Sequence, residues 1–198
     1  MIYGTPAARR RDAQRNRAAI LEAASEVLAR DEPGPLMPEI ARRAGVGQAT
    51  LYRHFPDRTA LTVAVLGHQL ELLENRIATH ATEPAGFRHQ LREVLHSLIG
   101  MRRLVRLARR FDTATQERYM RRLVTAFAGP LRRARDHGHV RADLTPEDLV
   151  LLFTMVQSVS EATADVADAR AAADRAVDLV LDGVFRSAQV PAGGADPA

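Results

Sequence analysis

Apolar residues recur every three or four positions along most of this chain of 198 residues, which is the spacing of a helix face rather than of a strand. The first such stretch predicts a helix over residues 12–29, with Asp12 as its cap. No segment shows the alternation of apolar and polar residues that is typical of a β-strand. The pattern therefore predicts an all-α fold. A longer stretch follows Pro56-Asp57 and carries the apolar stripe Leu66, Leu70, Leu73 and Ile77.

The second half of the chain continues in helices. One is predicted from Thr113 or Thr115 to Asp136. Pro130 lies inside this helix and cannot donate a backbone hydrogen bond, so a kink is expected near Phe127.

A further helix begins at Thr145-Pro146, where threonine can cap the helix and proline is tolerated in the first turn. From 149 to 156 this helix is apolar on nearly every side, which is typical of a helix buried on two faces. In a chain of this size the second face is expected to meet another subunit, together with a last helix over residues 167–187. The predicted dimer residues are Leu149, Leu152, Val156, Val177, Val180, Leu181 and Val184.

Two short helical segments meet at a corner of small residues between 39 and 55. Gly45 is expected to end the first segment, because glycine adopts the left-handed conformation at little cost. In the second segment Leu51 and Phe55 are four residues apart and are predicted to point inward. This is the pattern of a helix-turn-helix, whose second helix enters the major groove of DNA.

The outward face of the second segment contains amide, hydroxyl, aromatic and basic groups and no carboxylate. Tyr52 and His54 can donate to phosphate oxygens, whereas Gln48 suits adenine and Arg53 suits guanine. The alternative is a helical hairpin inside an all-α core, with Tyr52 merely packing. The residues predicted to face DNA are Gln48, Ala49, Thr50, Tyr52, Arg53 and His54.

The run IARRAGVGQATLYRHFPDRTAL, residues 40–61, resembles the signature of the TetR/AcrR family of transcriptional regulators. The resemblance is specific over about residues 13–66. It implies that Arg58 makes the phosphate contact of the family's basic residue. Two positions depart from the pattern: Leu36 replaces a capping serine or threonine, and Pro38 replaces a polar or basic residue.

The resemblance also implies a two-domain organisation. The predicted parts are a flexible basic arm over residues 1–11, a DNA-binding domain over 12–58, a helical sensing and dimerisation domain over 59–188, and a disordered tail over 189–198. The arm is either simply disordered or reaches phosphates or the minor groove. The expected assembly is a homodimer that reads near-palindromic double-stranded DNA and is released by a small-molecule effector, most simply as a repressor.

An effector site is expected among the helices after the long connector. Methionine and phenylalanine at helical spacing can equally be core, so each candidate has a structural alternative. The basic stretch 102–110 favours an acidic effector, unless its arginines are solvated or paired with acids. The ligand candidates are His96, Met101, Phe111, Tyr119, Met120, Phe127, Phe153 and Gln157.

Charge is distributed unevenly along the chain. All 28 basic residues are arginine, and the formal net charge is +4. Residues 88–141 hold 14 arginines and 4 acids, whereas residues 142–198 hold 3 arginines and 10 acids. The predicted DNA-binding region has little excess charge, so the motif rather than the charge indicates DNA binding.

Several other functions lack a sequence signal. The chain has no cysteine, and His137 and His139 flank Gly138 without a third ligand, so no metal or other cofactor is expected. No apolar run approaches the ~20 residues of a membrane span, and no secretory signal is visible, so a cytoplasmic location is expected. The alternatives are an enzyme built on a helical bundle, for which no catalytic constellation is visible, and a regulator that acts through protein contacts without a ligand.

Overall fold

The structure, a computed structural model, describes residues 6–29, 36–79, 86–162 and 166–185. Within these residues the chain forms nine α-helices and no strand, which confirms the predicted all-α class. One isolated antiparallel bridge joins Val140 to Phe185. The helices are α1 (Pro6–Ala29), α2 (Leu36–Arg43), α3 (Gln48–His54), α4 (Arg58–Thr79), α5 (Gly86–Gly100), α6 (Arg102–Ala108), α7 (Thr113–Asp136), α8 (Pro146–Ala162) and α9 (Val166–Val184).

These helices form two compact units. The first comprises Met1–Leu73 and Gly100–Tyr119, and the second comprises Glu74–Ile99 and Met120–Ala198. The predicted boundary lay after residue 58, whereas the packing divides the chain inside α4. The reason is that Leu61 and Val65 of α4 are buried with the helices that precede them.

The core of the first unit collects one apolar face from each of its helices. Ile20 of α1, Ile40 of α2 and Leu51 of α3 are each fully buried. Leu104 of α6 joins the same core from far along the chain, and α6 packs on α1. Helix α3 therefore packs on a core to which residues distant in sequence contribute as well as its neighbours.

Helix α1 begins at Pro6, earlier than the predicted start at Asp12. Proline is compatible with a first helical turn, so the basic run after it continues the helix. Asp12 lies inside α1 and accepts a hydrogen bond from Arg15 at 2.9 Å instead of capping the helix. Residues 1–5 of the predicted arm and the predicted tail lie outside the described residues.

The second unit is organised around aromatic rings contributed by different helices. Phe87 of α5 and Phe127 of α7 meet edge to face with ring centroids 6.0 Å apart. Phe153 of α8 lies 6.0 Å from Phe127, and Phe185 lies 5.8 Å from Phe87. Helix α7 continues as one helix through the buried Pro130.

The start of α8 agrees with its sequence signal. The Thr145 amide donates to Asp148 Oδ2 at 2.8 Å, and the Asp148 amide donates to Thr145 Oγ1 at 3.3 Å. This reciprocal pair satisfies backbone donors that the first turn would leave unpaired. No described helix is long and apolar enough to cross a membrane.

Most of the predicted dimer residues are buried within their own unit, which corrects that prediction. Leu149, Val156, Val177 and Leu181 are fully buried, and Val184 is 5% exposed. These side chains cannot form an intersubunit surface without leaving the core of their own chain.

The apolar residues that face outward on α8 and α9 lie at neighbouring positions. Leu151 is 60% exposed, and Met155 and Leu179 are each 56% exposed. Leu152 and Val180, both in the predicted set, are partly exposed. Because α8 is apolar all round, its sequence alone could not show which side faces the core.

Candidate nucleic-acid interface

The corner between α2 and α3 is built on a left-handed glycine. Gly45 has a φ of 65°, as predicted from its position after the helix. The Val46 amide donates to the Ala41 carbonyl at 3.0 Å, and the Gly45 amide donates to the Arg42 carbonyl at 3.2 Å. These bonds satisfy carbonyls that the end of α2 would leave unpaired, and they turn the chain directly into α3.

Helix α3 is short, and its inward side chains hold it in place. Leu51 is fully buried and Phe55 is 2% exposed, as the four-residue spacing predicted. The Phe55 amide donates to the Leu51 carbonyl at 2.9 Å and closes the last turn. With this face buried, the remaining side chains of α3 can be presented to a partner.

The predicted DNA-facing residues lie mainly on the surface of the first unit. Gln48, Ala49, Arg53 and Arg58 are exposed, and Thr50 is partly exposed. Tyr52 is 47% exposed, so its ring is not part of the core. The hairpin alternative, in which Tyr52 packs inside the protein, therefore does not describe this unit.

His54 lies deeper than the sequence predicted. It is partly buried, and its ring centroid is 6.3 Å from that of Phe55. Burial lowers the pKa of His54, and the nearby Arg53 and Arg17 lower it further. These surroundings disfavour the charged imidazolium, and the ring can still offer an N–H to a phosphate.

An ion-pair cluster on α2, formed by Glu39 with Arg42 and Arg43, was missed by the sequence analysis. Glu39 accepts hydrogen bonds from Arg42 Nε at 2.9 Å, Arg42 Nη2 at 2.7 Å and Arg43 Nε at 2.6 Å. The hydrogen bonds from Arg42 and Arg43 lower the pKa of Glu39 to about 2. The spacing of three and four residues was the available signal, because such positions are neighbours on a helix.

Arg17 contributes a second contact that the sequence did not reveal. Its Cζ atom lies 4.6 Å from the centroid of the Phe55 ring, in cation–π geometry. The two residues are far apart in the chain, and no local pattern connects them. Arg17 therefore links α1 to the residue that follows α3.

The predicted ligand candidates divide between the two units. In the first unit, Tyr119 Oη donates to the Val63 carbonyl at 3.1 Å, Met101 packs against the core, and Phe111 is partly buried. Those in the second unit are His96, with Nδ1 3.1 Å from Asp174 Oδ1, the fully buried Phe127 and Phe153, and the partly buried Met120 and Gln157.

A buried glutamine in the second unit was not among the candidates. Gln90 is 5% exposed, and its Nε2 donates to the Ile77 carbonyl at 3.3 Å. Its Oε1 has no hydrogen-bond partner among the described residues. Because Nε2 is fixed by an acceptor, the free atom is the amide oxygen. The available sequence signal for burial of Gln90 was its position in a helix beside the apolar Phe87 and Leu91.

The two histidines after α7 do not extend into a metal site. Their rings stack with centroids 6.2 Å apart, and His137 Nδ1 lies 2.8 Å from the Arg133 carbonyl oxygen. Within the described ranges there is no group of three or more histidine, cysteine, aspartate or glutamate residues that could hold a metal ion.

The fold and this surface define a class: a helix-turn-helix protein with a second helical unit. The first family model that matches, described as bacterial regulatory proteins of the tetR family, covers residues 20–65. A second, described as the C-terminal domain of SbtR-like transcriptional regulators, covers residues 89–186. The chain belongs to the TetR family of transcriptional regulators, whose members are not enzymes.

Individual relatives agree with this family. A TetR regulator of Mycobacterium vanbaalenii has a TM-score of 0.68 at 28% identity, covering 89% of this chain and 99% of that one. A Streptomyces coelicolor regulator has a TM-score of 0.66 at 29% identity, covering 87% and 99%. The repressor LfrR of Mycolicibacterium smegmatis is 46% identical over 59 residues, which span 30% of this chain and 31% of LfrR.

Proposed function

We propose that this protein is a ligand-responsive transcriptional regulator that binds double-stranded DNA as a homodimer, most simply as a repressor. The observation that carries the proposal is the outward face of α3, which has no carboxylate and is held by the buried Leu51 and Phe55. Exposed amide, hydroxyl and guanidinium groups on such a helix suit base edges and phosphates.

The intersubunit surface proposed here is the outward side of α8 and α9. Leu151, Met155 and Leu179 border an apolar groove of about 430 Å³ in the second unit. Arg141 and Asp143 line the same groove and pair with each other at 2.6 Å. An apolar centre with a polar edge is typical of an interface, and two copies of the same helix pair would form a four-helix contact.

The assembly predicts the form of the operator. A two-fold dimer carries two recognition helices, which read half-sites about 34–36 Å apart, or about 10–10.5 base pairs from centre to centre, or a multiple of that spacing. Selection of bound duplexes from a random library, followed by affinity measurements, tests the proposal. The expected result is an enriched, near-palindromic sequence. Failure to enrich any duplex would contradict DNA reading, and enrichment of a lone half-site would contradict the dimer.

Effector sensing is assigned to the second unit, where Gln90 supports it. A buried amide oxygen without a donor costs roughly 1–3 kcal/mol, so a molecule that supplies an O–H or N–H would stabilise the bound form. Since α4 runs from the first unit into the second, a shift of its second half would reach the DNA-binding helices. Coupling of this kind is typically about 1–3 kcal/mol.

The assignment of Gln90 is tested by a thermal-shift screen of matched compounds with and without a hydroxyl group. Compounds with the hydroxyl should raise the melting temperature of the wild-type protein and have a smaller effect on Gln90→Met. Asn75→Met, at an exposed position of α4 in the same unit, is the control. Equal shifts for the wild type and Gln90→Met would remove Gln90 from the site.

A further inference from the structure

The first unit contains a groove beside the end of α3, and of its lining residues only His54 is among those predicted to face DNA. Its volume is about 600 Å³, and it is bordered by α1, α3, α4 and α7. Leu21, Val63, Ala64 and Gly67 provide an apolar floor, and Tyr119 lies beside them. The α4 residues that line the groove extend over about three turns of that helix, or about 16 Å.

Glycine at position 67 is not explained by packing within the chain. A Cβ atom there would meet one neighbour within 4 Å, Tyr119 Oη at 3.7 Å, which is an ordinary van der Waals distance. Alanine would therefore fit, and alanine is a much better helix former than glycine. What the missing side chain does provide is room above the middle of the groove, where the backbone of α4 can be approached closely.

The two ends of the groove differ in charge. Arg17 lies over Phe55 at the end where α4 begins, and His54 lines the same end. The Arg17 guanidinium brings positive charge to this end, and Arg53 adds to the positive potential around His54. At the other end are His68 and Glu71, and the carboxylate of Glu71 disfavours a second anion there.

We propose that this groove binds a small hydrophobic monocarboxylate, with its carboxylate beside Arg17 and His54 and its apolar body over Ala64 and Gly67. The site lies wholly within the first unit, so it is additional to the effector site assigned to the second. An occupant would contact the end of the recognition helix through His54 and Phe55. It would therefore compete with, or reorient, the surface that faces DNA.

The test is calorimetric titration of the full chain, without DNA, using naphthoate as the probe. Naphthoate should bind, whereas naphthalenemethanol and naphthalenedicarboxylate should bind at least about tenfold more weakly, since one lacks the charge and the other meets Glu71. Arg17→Gln should weaken naphthoate binding by about tenfold. Arg15→Gln, on the same helix and paired with Asp12, is the matched control and should bind as the wild type does.

Gly67→Ala separates binding from folding. The variant should raise the melting temperature, because alanine favours the helix, yet weaken naphthoate binding several-fold by filling the groove. Gly129→Ala in α7 is the matched control and should leave binding unchanged. Absence of naphthoate binding, or binding that neither Arg17→Gln nor Gly67→Ala alters, would overturn the proposal. Because the readout needs no operator, failure of DNA binding would be seen separately.

Discussion

At the scale of single residues, side chains of α3 and of the start of α4 are proposed to make different kinds of contact with DNA. Gln48 is exposed at the first position of α3, where an amide can make paired hydrogen bonds with adenine. Arg58 is exposed at the start of α4, after the turn, and is proposed to meet a phosphate. A base contact changes sequence preference, whereas a phosphate contact changes affinity for every duplex.

Gln48→Ala should therefore relax base choice. We expect it to reduce discrimination at one operator position by about 1–3 kcal/mol, with a smaller effect on binding to unrelated duplexes. Arg58→Gln is the contrasting variant and should weaken all duplexes alike, lowering the slope of log affinity against log salt by about 1. Fluorescence anisotropy with operator and single-base variants measures both. Unchanged discrimination in Gln48→Ala would remove it as a base reader.

The lowered pKa of Glu39 predicts that the stability of the folded protein depends on pH. Its pKa is lowered from 4.5 to about 2 by the hydrogen bonds from Arg42 and Arg43, so the folded state favours the ionised form. The resulting stabilisation is present above pH 4.5 and is lost as the pH falls through about 2.

The comparison is between wild type and Glu39→Gln. Glu39→Gln should melt at a lower temperature than the wild type at neutral pH, and the difference should shrink below pH 4.5. Thermal denaturation followed by circular dichroism gives the comparison, with Glu22→Gln on the exposed side of α1 as control. A difference that does not depend on pH would mean that the cluster acts through packing rather than through charge.

At the scale of elements, a ladder of ion pairs joins α5 to α9. Arg88 Nη2 lies 2.7 Å from Asp182 Oδ1, and Arg92 Nη1 lies 2.8 Å from Asp178 Oδ1. One turn further along, His96 Nδ1 lies 3.1 Å from Asp174 Oδ1. Partners recur every four residues, ascending on α5 and descending on α9, so the two helices are antiparallel. The ladder connects the basic middle of the sequence with its acidic end.

The middle pair can be measured by a double-mutant cycle. Arg92→Ala, Asp178→Ala and the double variant should give a coupling energy of about 0.2–1 kcal/mol, because both side chains are more than a third exposed and water screens them. Added salt should reduce it further. Denaturant unfolding measures the free energies. A coupling energy of zero at low salt would show that the Arg92–Asp178 pair does not stabilise the packing of α5 against α9.

At the scale of the whole molecule, dimerisation decides whether two recognition helices act together. Met155 and Leu151 are exposed on one side of α8, so a charge at Met155 would be buried in the proposed interface. Met155→Glu should yield a folded monomer that binds the operator far more weakly than the wild type. Leu72→Glu, an exposed apolar position on α4, is the control and should remain dimeric.

Sedimentation velocity and operator titration provide the two measurements. A Met155→Glu protein that stays dimeric would move the interface away from α8. A monomer that binds the operator as tightly as the wild type would separate DNA reading from dimerisation. Helix content measured by circular dichroism confirms that the variant is folded.

What the sequence determined by itself is local. Helix periodicity, the left-handed Gly45, the inward pair Leu51 and Phe55, and the Thr145 cap depend on residues within a few positions of one another, and each agrees with the structure. The extension of α1 back to Pro6 was missed, because the basic run after it has no apolar stripe to mark a helix.

Tertiary structure decided what depends on partners far along the chain. It recruited Leu104 to the first core, placed Arg17 over Phe55, and left the Oε1 atom of Gln90 without a donor among the described residues. It also chose which side of the uniformly apolar α8 is buried, turning Leu149 inward and Leu151 outward. Periodicity predicts that a helix has an apolar face, but only the packing of distant helices decides which residues cover that face.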